Sequence, residues 1–137
     1  MSHAARFVAG LILITVPTVQ YGGYFLLTQL VDKNSGYMSN PLRQNFFRAG
    51  HAHAGVLLIL SLICQVLVDF ALLPQPLQWL ARLGVPLAAI LMPAGFFFSV
   101  TNPSASEANA AIYLIYAGAI ALAASVLTLG IGLLRYS

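Results

Sequence analysis

The sequence predicts an all-α fold: a polytopic membrane protein built as a four-transmembrane-helix bundle. Three observations predict it. Of 137 residues, 60% are apolar and 7% are charged, against about 25% charged in a soluble domain. Mean hydropathy is +0.88. The apolar residues fall in four runs, each near the roughly 20 residues a spanning helix needs. The runs do not alternate as barrel strands would, so helices are the way to satisfy their backbones in lipid. Six Lys/Arg and three Asp/Glu cannot wet a globule of this size. A disordered chain and a water-soluble enzyme are excluded on that ground. The chain, 1–137, reads as a single transmembrane domain with spans at about 6–30, 50–72, 83–100 and 108–134.

The first helix is expected from about Arg6 to Leu30. Its apolar stretch, Phe7 to Val31, outruns the 7–15-residue core of a signal peptide and reads as a retained span. Pro17, Gly22 and Gly23 can kink it and free carbonyls. The connection Asp32 to Gln44 is polar. Within it, Asn40-Pro41 has the pattern of an N-cap followed by proline in the first turn.

The second helix is therefore expected to begin near Pro41, ahead of the apolar run Gly50 to Leu72. At 1.5 Å per residue it would reach about 48 Å, beyond a hydrocarbon core of about 30 Å. Its first turns should project into the interface. Pro74-Gln75-Pro76 should end it. An interfacial segment, Leu77 to Arg82, is expected next, with Trp79 at headgroup depth.

The third helix is expected over Leu83 to Val100, closed by Asn102-Pro103. Ser104 and Glu107 match a capping box opening a fourth helix from about Ala108 to Leu134. That helix carries small residues at Ala117, Ala121 and Ser125, and at Ala119 and Ala123. Such spacing permits close helix approach, either inside the bundle or between copies in a homo-oligomer.

An even helix count puts both termini on one side, with Arg6, Arg82 and Arg135; the other side holds Lys33, Arg43 and Arg48. The positive-inside rule then gives a tie. Discounting Arg48, which adjoins the histidines, tips both termini to the cytoplasm of a bacterial inner (plasma) membrane. The scattered cations are no nucleic-acid footprint, which needs a basic cluster. Cys64 is the sole cysteine and reads as a small buried hydrophobe.

The segment that stands out chemically is Phe46-Phe47-Arg48-Ala49-Gly50-His51-Ala52-His53-Ala54-Gly55. Ionisable residues inside a span are costly and mark function by default. Residues two apart lie about 200° apart around a helix, so His51 and His53 should face opposite ways. A single chelated ion would call for i, i+4 spacing. Gln44, Arg48, His51, Gly55, Leu58, Leu62, Gln65 and Asp69 form one 4-3-4-3 stripe, expected to face the bundle interior. Gly55 should leave room beside His51. Gln20 and Gln65 should either bond across helices or line a polar cavity below His51.

The run from Arg48 to Leu58, within residues 46–60, resembles the His-X-His helices of the heme–copper oxidase superfamily and related nitric-oxide-response membrane proteins. It is also similar to small four-helix bacterial membrane proteins of unknown function. The resemblance implies that His51 and His53 are axial heme or transition-metal ligands and that Arg48 pairs a heme propionate. Met92 is the intramembrane candidate for a second axial ligand. The superfamily's copper-site histidines have no counterpart here, since the one other histidine is His3.

Three functional expectations follow. One is a heme- or metal-binding membrane protein. Another is a cofactor-free module that binds or transports a small ligand or proton through Arg48 and the polar stripe. The third is a structural subunit of a larger membrane complex. No nucleophile with its base, phosphate-binding loop or carboxylate pair is present, so no autonomous enzyme activity is expected.

Overall fold

The computed structural model describes residues 1–135. Helix α1 spans His3–Val31, α2 Pro41–Leu67, α3 Gln75–Phe98 and α4 Ile112–Leu134. Short 3₁₀ turns at Tyr37–Ser39 and Val68–Phe70 flank α2. All four helices are long and apolar enough to cross a membrane. The chain is a four-helix integral membrane protein.

Sequence neighbours pack on one another. The α3–α4 contact is the most extensive, then α2–α3, then α1–α2. Helix α3 is the most buried and α1 the least. Because α1 barely touches α3, a groove floored by α2 opens between them. Lipid tails are as apolar as Leu, so close packing rather than hydrophobic burial must hold such helices together. Glycines supply the close approaches. A β-carbon on Gly84 of α3 would lie 2.5 Å from Ser125 Cβ of α4. One on Gly118 of α4 would lie 2.5 Å from Met92 Cγ.

These contacts divide the small residues of α4 between two faces. Ser125 is buried and Ala121 half-buried against Gly84, while Ala117, Ala119 and Ala123 are exposed. One core cluster joins α2, α3 and α4 around Leu57, Cys64, Val85 and Leu129. Cys64, 2% exposed, is a free thiol within it. An aromatic cluster around Tyr37 and Phe47 packs the other end of the bundle.

Asn40 caps α2, its Oδ1 accepting from Arg43 N at 3.1 Å. Its Nδ2 donates to the carbonyls of Pro103 and Ala105, each at 3.0 Å, which ties the α3–α4 loop to this end. Two boundary expectations are corrected. Leu77–Arg82 is not a separate interfacial segment but the first turns of α3. Pro76 sits at the helix start, where its missing N–H is no loss. The Ser104/Glu107 capping box does not form. Asn102 Oδ1 takes the Ser104 N–H and hydroxyl. Asn109 Oδ1 instead accepts from Ala111 N at 2.8 Å, and α4 begins three residues after Asn109, at Ile112.

Candidate functional site

The two histidines of α2 sit in different helix interfaces. His51 leans on α1. A β-carbon on Gly23 would lie 3.2 Å from its Cε1 and 3.3 Å from its Nε2, and one on Gly22 3.5 Å from its Nδ1. Two consecutive glycines thus give the ring a seat with no side chains on it. Gly55 does not make that room. A β-carbon there would meet nothing within 4 Å, because that part of α2 already faces open space. His51 Nδ1 is buried and has no hydrogen-bond partner.

His53 turns towards α3. Its ring centroid lies 5.0 Å from that of Phe96, with the planes tilted by 34°. Its Nδ1 lies 2.7 Å from the Ala49 carbonyl oxygen, one turn back. A carbonyl only accepts, so Nδ1 donates. In the neutral ring this leaves the Nε2 lone pair free.

The stripe expected to face inward does so only in part. Arg48 is exposed and takes part in no ion pair among the described residues. The ends of the stripe lie at opposite ends of the helix and meet different elements, Gln44 the 3₁₀ turn before α2 and Asp69 the start of α1 and Arg82 of α3. Gln44 donates to the Tyr37 and Met38 carbonyls at 3.1 and 3.0 Å, which fastens the 3₁₀ turn before α2. Gln65 is fully buried. Its Nε2 donates across to the Arg82 carbonyl at 2.8 Å, and its Oε1 has no partner. Gln20 is exposed on α1 and lines neither cavity near His51. Met92 is buried and packed on Gly118 of α4.

Two arginines escaped the sequence reading, which took them as topogenic surface charges. Arg82 is 4% exposed, with Nη2 donating to Asp69 Oδ1 at 2.6 Å. Asp69 also accepts from the Ser2 backbone N–H and hydroxyl. Arg43 is 5% exposed. Its Nε donates to the Val100 carbonyl at 3.1 Å, its Cζ lies 5.0 Å from the Phe47 ring centroid, and its Nη1 is buried without a partner. A signal for Arg82 was available: Asp69 falls on the stripe that runs down α2, and an acid at the end of a span calls for a cation from across the α2–α3 turn.

The α1/α3 groove holds two cavities, of about 720 Å³ and about 530 Å³. Thr18 of α1 lines both. Phe47 floors the larger, and Ala54, Leu58 and Ser61 floor the smaller. His51 falls between Phe47 and Ala54 on the same 4-3-4-3 course of α2. His51 itself lines neither cavity; its ring lies against Gly22, which lines the larger one.

No family model, no curated protein and no solved structure matches this chain.

The implied heme finds an uneven fit. His51 Nε2 faces the α1 backbone at Gly23, so a ligand on that nitrogen would require α1 to move. Met92 is buried with its Cγ packed on Gly118 of α4. His53, with its Nδ1 engaged by Ala49, has the orientation that frees Nε2 to bind a metal. No group of three or more His, Cys, Asp or Glu that could hold an ion occurs among the described residues.

Proposed function

We propose that this protein is a cofactor-free binding module of the membrane, in which His51 holds a small polar ligand or a proton between two cavities. One observation carries the reading: His51 Nδ1 is buried without a hydrogen-bond partner, on the stretch of α2 between Phe47, which lines one cavity, and Ala54, which lines the other. A buried polar group left unsatisfied costs about 1–3 kcal/mol. A ligand donor, a water or a bound proton offsets that cost. Intramembrane ionisable groups commonly mark ion or substrate paths.

The test is proton flux in proteoliposomes, read with an entrapped pH dye, for wild type, His51→Ala and His53→Ala. Flux should depend on His51 and survive loss of His53. Equal flux in wild type and His51→Ala, with the fold retained, would overturn the reading.

A second reading is favoured by the His53–Ala49 hydrogen bond. His53 Nε2 would ligate a heme or transition metal, with the opposing ligand supplied by a second copy or by a partner subunit. Such a homo-oligomer would meet through exposed surface, and the Ala119/Ala123 face of α4 is free for it. The purified protein would show a Soret band or bound metal that His53→Ala removes and His51→Ala spares. A colourless, metal-free protein from cells grown with heme precursor and metals rejects this reading.

A further inference from the structure

We propose that the 720 Å³ cavity beside Arg43 is a phospholipid site, with the lipid phosphate on Arg43 and a headgroup ammonium at Asp32. The charge balance motivates it. A guanidinium stays protonated in any protein setting, and burying it unpaired is costly. Arg43 is 95% buried by its 5% exposure. One carbonyl and one aromatic face occupy it, and Nη1 has nothing. Both ion pairs among the described residues belong to Asp69, so Arg43 lacks a protein counter-ion.

The cavity supplies the rest of the recognition. Its remaining walls are largely apolar, with Phe25, Phe47, Pro93 and Phe97 among them. Its volume lies within the roughly 300–1,000 Å³ of ordinary ligand sites. Arg43 is the third residue of α2, beside the Asn40 tie to the α3–α4 loop. That places the guanidinium at the polar end of the bundle, where headgroups lie, while the groove continues down α1 past Gly22 and Thr18.

Asp32, exposed just after α1, is the acidic residue among the lining side chains. A free phosphate would leave the apolar walls empty. An acidic lipid would set a second negative charge beside Asp32. A zwitterionic phospholipid matches both charges and the apolar groove. This inference is independent of the His51 reading and of any metal.

Native mass spectrometry of the full chain in mild detergent tests it. The probes are phosphatidylethanolamine, phosphatidylcholine, phosphatidylglycerol and oleate, each added alone. Wild type should retain one zwitterionic lipid about tenfold better than the anionic lipid, a difference of about 1.4 kcal/mol. Arg43→Gln should lose retention of every phospholipid. Asp32→Asn, at an exposed position outside the helices, should keep retention and erase the preference for zwitterionic over anionic lipid. Should Arg43→Gln fail to fold, Ala94→Phe, which fills the cavity, must also lower retention. Preference for phosphatidylglycerol or oleate in wild type, full retention in Arg43→Gln or Ala94→Phe, displacement by millimolar inorganic phosphate, or an unchanged preference in Asp32→Asn would each overturn the proposal.

Discussion

The imidazole of His51 rests on the bare backbone of Gly23, with a β-carbon at that glycine falling 3.2 Å from Cε1. At this level of the bundle the approach of α2 to α1 depends on the absence of a side chain at Gly23. Gly22, one residue away, meets the same ring at an ordinary 3.5 Å.

Gly22 and Gly23 should respond differently to substitution. Gly22→Ala should be neutral or stabilising by up to about 1 kcal/mol, because alanine is the better helix former and its methyl has room. Gly23→Leu should destabilise by about 1–3 kcal/mol, as overpacking does, and should displace His51. Thermal unfolding in detergent, with a histidine NMR resonance followed in parallel, checks both. Equal effects at the two glycines would contradict the described seat.

Removing one member of the Asp69–Arg82 pair should cost more than removing both. The side chains are 16% and 5% exposed. Asp69→Ala leaves a buried guanidinium without its carboxylate, a loss of about 3 kcal/mol for pairs of this kind. Asp69→Ala combined with Arg82→Met should recover much of it. A double-mutant cycle on thermal stability measures the coupling; simple additivity would count against a pair that matters to the fold.

The α3–α4 seam should be intolerant at Gly84 and tolerant at Gly130. A β-carbon on Gly84 would strike Ser125 at 2.5 Å, whereas one on Gly130 meets nothing within 4 Å. Gly84→Ala should destabilise by about 1–3 kcal/mol. Gly130→Ala should be neutral or slightly stabilising. The comparison is read from the melting temperatures of the two variants in one detergent.

Cys64 should resist a bulky maleimide while the bundle is folded and react fully once sodium dodecyl sulfate unfolds it. It is 2% exposed and packed among α2, α3 and α4 residues. Gel-shift labelling reports this directly. Rapid labelling of the folded protein would place Cys64 on a lipid- or water-facing side of α2 instead.

The site was less legible than the bundle. Four apolar runs and an Asn40-Pro41 start signal were enough to place the spans, because the bilayer constrains length and composition locally. The His-X-His spacing was enough to separate the two rings around α2. It was not enough to say that Gly22 and Gly23 of another helix would receive His51, or that Met92 would turn to Gly118. Those facts depend on how helices far apart in sequence cross. The arginines show the same gap. Arg43 and Arg82 look like ordinary boundary cations along the chain, yet both are buried once Val100 and Asp69 are brought beside them.

Sequence alone determined that this chain lives in a membrane as four helices, and that two imidazoles leave one helix in different directions. Both follow from properties of single segments: transfer free energy summed over about 20 residues, and 3.6 residues per turn. Tertiary structure alone decided which glycines seat His51, which buried arginine gains a carboxylate and which does not. Those outcomes follow from contacts between helices, where one missing β-carbon or one carbonyl within 3.1 Å decides what a buried charge can meet.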